Sequence, residues 1–302
     1  MVIVRSLLGL LLCATGGHAL AQFSHEADLS SRLDERSQAG FRSQYRFRFE
    51  PSYALSPQWS VHSFIATGRS YDSAYNSIGE NDDQIHARRL FARYSGNRAR
   101  VELGVLPPYK GRVSSTGLSQ EGWIKGARVV MGNEPAQLEL VVGELGSTRA
   151  RNALNAFEKL NYVELEYSRQ HTDRLSFELG LERMLDSSFF RSEVRLAAAS
   201  STTLAAELVH NLSEESTKFA LSADLTIAAG DREIDWFTYY AYTPTGFGAR
   251  AELEEDFLEF GHALSTEISV PFARFDGLNW FVKGEVYEGQ SRAILGVSLS
   301  LD

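Results

Sequence analysis

From residue 23 onward the chain alternates in polarity. In FRSQYRFRFEPSY (41–53), Phe41, Tyr45, Phe47, Phe49 and Tyr53 share one parity, while Arg42, Gln44, Arg46, Arg48 and Glu50 take the other. A period of two belongs to an extended strand, whose successive side chains leave on opposite faces. LSFELGLER sets Leu175, Phe177, Leu179 and Leu181 against Ser176, Glu178, Gly180 and Glu182. TKFALSADLTI repeats the scheme with Phe219, Leu221, Leu225 and Ile227 opposed to Lys218, Ser222, Asp224 and Thr226. AQLELVVG, RSEVRLAA, NWFVKGEVY and AILGVSLSL follow it too. One such strand fits any half-buried antiparallel sheet. A long series of segments of about 10 residues, separated by turn residues, is the mark of a transmembrane β-barrel. The apolar faces are nearly free of charge, and the polar faces mix charge with Gly and Ser, as a watery lumen requires.

The connections supply direction. Short ones fall at LSPQ (55–58), SGN (95–97), GNEP (132–135), HTD (171–173), ASST (199–202), AGDR (229–232) and RFDG (274–277). Longer ones include 69–83, 107–122 and 146–159. Outer-membrane barrels carry short periplasmic turns and longer external loops. The rule predicts up-strands near 23–33, 58–69, 99–106, 136–145, 174–185, 203–212, 233–243 and 278–288. Down-strands are predicted near 41–53, 84–95, 123–132, 160–170, 188–199, 216–228, 261–271 and 291–302. That makes sixteen, all β, with both ends on the short-turn side. Fourteen stays open, because 23–33 and the region of GFGARAELEEDFLEFGHALS are weakly patterned. Closure pairs every backbone group and leaves no edge, which lipid demands. Tyr53 and Trp59 beside LSPQ, with Trp123, Trp236, Tyr240, Tyr242 and Trp280, are the expected interfacial aromatics.

The first 21 residues stand apart: Arg5, an apolar run from Leu7 to about Ala14, then Ala19-Leu20-Ala21. They read as a secretory signal peptide cut before Gln22, since the run is far short of the roughly 20 residues a spanning helix needs. A lipoprotein reading of LLLC is disfavoured by the bulk of Leu12 before Cys13. Cleavage leaves residues 22–302 as one barrel domain and removes Cys13, the one cysteine of the chain. No disulfide framework is then available. With Arg5 gone from the 30 Lys+Arg, against 39 Asp+Glu, the net charge moves from −9 to −10. Nucleic acid is an unfavourable partner for such a chain.

Three stretches resemble the porin family of the bacterial outer membrane, within the 16-stranded porin superfamily. RFRFEPSYALSPQWSVHSFIATG (46–68) is similar to that family's arginine-rich strand, turn and returning strand. IHARRLFARYSGNRARVELGVLPP (85–108) resembles the next hairpin, and LSQEGWIKGARVV (118–130) the strand after the third loop. The likeness spans residues 40–130. It implies a water-filled outer-membrane channel for passive diffusion of small hydrophilic solutes or ions, in contact with outer-membrane lipid, with a homotrimer among the assemblies it allows. The final strand, AILGVSLSLD, has Gly296, Leu299 and Leu301 at the spacing of the family's assembly signal but ends in Asp302 in place of an aromatic.

Parity carried through the strands predicts the lumen charges. A basic wall is expected from Arg42, Arg46, Arg48, Arg89, Arg93, Arg100 and Arg128. An acidic wall is expected from Glu139, Glu164, Glu166, Glu178, Glu182 and Glu207, interrupted by Arg191 and Arg195. Opposed walls would set a transverse field that favours dipolar solutes; lumen salt bridges that only shape the pore are the alternative. The resemblance implies that PPYKGRVSSTGLSQEG (107–122) folds inward as a constriction, with Lys110, Arg112 and Glu121 as its charges.

Two other readings remain. A barrel enzyme acting on lipid would need a base and a nucleophile, and the pairs at hand are His210 with Ser213 and His262 with Ser265. Three residues apart on a strand, such pairs face opposite sides. A soluble secreted β-sandwich binding protein would have to pack sixteen such faces on one another. Neither a phosphate loop, zinc-ligand spacing nor a GxSxG elbow occurs, so no enzyme, cofactor or metal is expected.

Overall fold

The computed structural model describes residues 22–79, 84–108, 118–133, 135–146, 148–230, 232–248, 250 and 260–301. The expected signal segment, 1–21, lies outside them. The strands in chain order are β1 (Gln22–Arg36), β2 (Gly40–Ala54), β3 (Trp59–Thr67), β4 (Asn76–Ser77), β5 (Ile85–Ser95) and β6 (Ala99–Leu106). Next come β7 (Ile124–Asn133), β8 (Ala136–Glu144), β9 (Tyr162–Gln170), β10 (Leu175–Met184), β11 (Ser187–Ala199) and β12 (Thr202–Asn211). The series ends with β13 (Ser216–Ala229), β14 (Arg232–Thr243), β15 (Gly261–Pro271), β16 (Leu278–Tyr287) and β17 (Gln290–Leu301).

Sixteen of these form one closed antiparallel barrel; β4 is a two-residue strand that caps β2. Each long strand pairs with its sequence neighbours, and β1 closes on β17 from Ala27↔Leu301 to Arg36↔Arg292. The first strand, weakly patterned in sequence, is thus among the longest and supplies the closure. Its even positions, Asp28, Ser30, Arg32, Asp34 and Arg36, continue the inward face of β2.

Register and burial agree on parity. On β10, Glu178, Glu182 and Met184 are buried while Leu179 and Leu181 are exposed. The outer face carries Leu165, Leu179, Leu221, Leu264, Val282 and Leu295, each exposed by 42% or more, a density of bare apolar groups that water would penalise and lipid does not. Trp59, Trp236 and Tyr242 lie on this outer face as expected. Trp123 does not: it is 1% exposed and packs inside the barrel against Tyr71, with ring centroids 4.9 Å apart. It precedes the first residue of β7, so strand parity has no hold on it.

One barrel end has the short turns. The other has long connections after β3, β6, β8 and β14, but turns of two to four residues after β1, β10, β12 and β16. The expected alternation of length therefore holds at half the positions. At the remaining turns Leu185, Glu215 and Glu288 take positive φ, which closes a hairpin within a few residues.

Candidate functional site

The barrel interior is unevenly filled. On the side of β7 to β12 lies a packed apolar cluster that includes Leu118, Trp123, Ile124, Val141, Tyr162, Met184, Phe189, Val209 and Phe247. Leu118, Trp123, Ala150 and Phe247 belong to described parts of the long connections and pack onto this wall. On the side running from β14 round to β2 a cavity of about 520 Å³ remains. Its floor and walls join four aromatics, Tyr75, Phe237, Tyr239 and Phe281, to five cations, Arg32, Arg46, Arg48, Lys283 and Arg292. Asp72, Glu121 and Glu267 are its three anions, so charge of both signs faces the space.

The arginine ladder of β2 faces inward, each rung held by a carboxylate. Arg42 donates to Asp34 at 2.7 Å and Arg46 to Asp28 at 2.8 Å. Arg48 reaches Asp28 at 3.4 Å and Glu121 at 3.4 Å, and Arg46 lies 3.7 Å from Glu121. Asp34, fully buried, also takes two bonds from Arg292, at 2.8 and 2.9 Å. Like charges two or four residues apart would repel, and these interleaved acids offset that cost. Glu121, expected on the constriction loop, therefore sits against the ladder, reaching it from the segment that leads into β7. Lys110 and Arg112 lie outside the described residues.

Arg93, Arg100 and Arg128 converge on one carboxylate, Glu102, at 2.8, 3.3 and 2.9 Å. Glu102 is 1% exposed and was absent from the sequence expectation, although it shares the parity of Arg100. Arg128 also bonds Glu139 at 2.8 Å. On the adjoining strands, where Glu166 is the cross-strand neighbour of Glu139, Glu166, Glu178 and Glu207 surround Arg191 at 2.5, 3.5 and 3.7 Å. Glu178 contacts Arg195 at 3.6 Å, Glu182 binds Arg250 at 2.5 Å, and Glu164 accepts from the Tyr162 hydroxyl at 2.7 Å. All six acids of the expected acidic wall face inward, but none lines the 520 Å³ cavity. They lie in ion-paired packing beside the apolar cluster. Arg250 could not be read from sequence, because its loop has no periodic cue.

Arg89 is buried beside Arg88, an adjacency strict alternation forbids. The β3–β5 ladder pairs Phe64 with Arg89 and Ile65 with Ala87, so Arg88 is the extra residue of a β-bulge and turns inward with its neighbour. Its guanidinium donates to the carbonyls of Thr67, Ser70, Ser73 and Glu121 at 2.7, 3.1, 2.9 and 3.2 Å. Arg89 donates to the Gly122 carbonyl at 2.7 Å and to that of Gln120. Two adjacent arginines thereby hold two loops, 68–79 and 118–123, inside the barrel. The only sequence signal was the doublet in HARRLFAR. Gly68 makes the first turn at φ +82°, where an added Cβ would lie 2.7 Å from the Ala74 backbone. Within this loop burial pushes the Tyr71 phenol well above its ordinary pKa, keeping it neutral.

The enzyme pairs are separated by the fold. His262 faces outward and shares a bond of 2.6 Å with the Tyr240 hydroxyl, while Ser265 faces inward toward Glu285. His210 pairs with Thr217 at 2.9 Å.

No family model matches the chain, and no curated protein matches it in sequence. Solved structures do match its fold. A triple mutant of the Rhodopseudomonas blastica porin superposes with a TM-score of 0.63 at 9% identity, covering 93% of this chain and all of that one. A second mutant of the same porin gives 0.61 at 10% identity over the same shares. A structure titled for asymmetric conductivity of engineered proteins gives 0.64 at 9%. The class the fold defines is therefore the 16-stranded porin-type barrel.

Proposed function

We propose that the protein is an outer-membrane porin: a water-filled channel through which small hydrophilic solutes or ions diffuse passively. The observation that carries this reading is the pairing of an exposed apolar outer face with a charged interior that keeps a 520 Å³ space open beside the arginine ladder. A diffusion channel needs such a charged, open interior, whereas small barrels can fill theirs with side chains. The path runs along the β14–β2 side, past Arg46, Arg48 and Glu121, and the ion-paired acids opposite shape the wall rather than meet the solute. Export through the periplasm with removal of residues 1–21 completes the proposal.

Reconstitution in a planar bilayer under a salt gradient tests it. Discrete conductance steps with a reversal potential shifted from zero are expected. A purified barrel that inserts, shows heat-dependent gel mobility and passes no current would overturn the reading.

A further inference from the structure

Loop 68–79 divides the lumen. A second cavity, of about 260 Å³, is lined by Arg36 and Arg42 near the long-loop end of β1 and β2. The 520 Å³ cavity begins at Arg32 and Arg46, four residues further along each strand, or about 13 Å at 3.3 Å per residue. The two cavities share three residues, Asp72, Ser73 and Tyr75, all from this loop. Between them stands the Tyr75 ring. The Arg32 guanidinium lies 3.6 Å from its centroid and that of Arg46 lies 4.9 Å away.

Everything around the ring is tethered. Arg32 donates to Gln44 at 2.9 Å and Arg46 to Asp28 and Ser30. The backbone beside Tyr75 is held by Thr67 Oγ1 donating to the Ala74 carbonyl at 2.6 Å and by β4 pairing with Gln44 and Tyr45. Asn76 Oδ1 accepts from Gly68 N–H, and Ser119 donates to the Asp72 carbonyl. A ring stacked on two fixed guanidiniums is attracted by both through its π-face, which favours the one rotamer that keeps both contacts.

We propose that Tyr75 sets the size limit of the permeation path: its ring, clamped to Arg32 and Arg46, is the partition that a solute must pass between the two cavities. The inference rests on the channel reading above and adds the residue that decides which solutes pass. Among the described residues it assigns the narrowest point to the connection after β3; Lys110 and Arg112 of the connection after β6 lie outside them.

Single-channel conductance and liposome swelling with neutral sugars of increasing size test this. Tyr75→Ala is expected to raise conductance about twofold or more and to admit larger sugars, because conduction follows the narrowest section. Tyr75→Phe, which keeps the ring, is expected to match the unaltered protein, as is Tyr242→Ala on the outer face. Equal conductance and equal sugar cut-off in Tyr75→Ala would overturn the proposal, and so would an equal rise in Tyr242→Ala. If Tyr75→Ala fails to give the heat-shifted folded band, Tyr75→Trp decides instead: lowered conductance supports the partition and unchanged conductance overturns it. Absence of current from the unaltered protein and from every variant would sink the channel reading itself, a result distinct from a working channel indifferent to position 75.

Discussion

Arg88 shows how much one side chain can organise. Fully buried and donating to four carbonyls, it ties loop 68–79 and the Glu121 turn to β5. Removing a donor strands each carbonyl at about 1 to 3 kcal/mol. Arg88→Met is therefore expected to leave a barrel that inserts but whose loops are cut far faster in limited proteolysis, with Arg88→Lys little better, since one ammonium cannot span the fork. Protease resistance equal to that of the unaltered protein would contradict this. Glu102 differs in kind, being a buried anion among three cations. Glu102→Gln should destabilise by about 1 to 3 kcal/mol in urea unfolding from detergent, because it weakens three charge-assisted contacts at once while Arg128 keeps Glu139. Arg100→Gln removes the partner whose side chain is 45% exposed, and should cost less than about 1 kcal/mol.

For the strands, the consequence of parity is directional. Leu179 and Leu221 point outward, exposed by 42% and 44%, whereas Ser176 and Ser222 pair inward with Arg195 and Tyr239. Leu179→Arg or Leu221→Arg should each cost about 2 to 4 kcal/mol at mid-membrane and reduce the folded fraction recovered in the outer membrane. Ser176→Asn and Ser222→Asn should assemble as the unaltered chain does. Equal loss from both sets would show that the outer face is not in lipid. The loops obey other rules: 68–79 is fixed by hydrogen bonds to strand side chains and backbone, with no periodicity of its own.

At the scale of the molecule the charges act together. Changing Arg42, Arg46 and Arg48 to Gln keeps side-chain donors at the ladder but leaves the carboxylates of Asp28 and Glu121 facing the path, while Asp34 keeps Arg292. The reversal potential should shift toward cation preference, most at low salt, where the screening length is longest. A triple variant that inserts normally with unchanged selectivity at low salt would mean that the ladder only braces the wall.

What the sequence determined by itself was everything that follows from a period of two. The all-β class, the inward set from Arg42 to Glu207 and the outward set around Leu179 descend from alternation, because one solvent meets each face of a closed sheet; strand number stayed open between sixteen and fourteen until β1 was seen to close the barrel. Glu102 and the polar face of β1 obey the same code, although neither was among the expected lumen charges. What only the tertiary structure decided lies where the period breaks or ends. The bulge at Arg88 turns an arginine inward that alternation sends to lipid, and Trp123 and Tyr75 take their places from loops held across the lumen. The pairing of charges is likewise three-dimensional: Arg48 meets Glu121 and Glu182 meets Arg250 over separations of 73 and 68 residues. Such contacts depend on the curvature that brings opposite walls within reach of inward loops, and no local pattern along the chain encodes that distance.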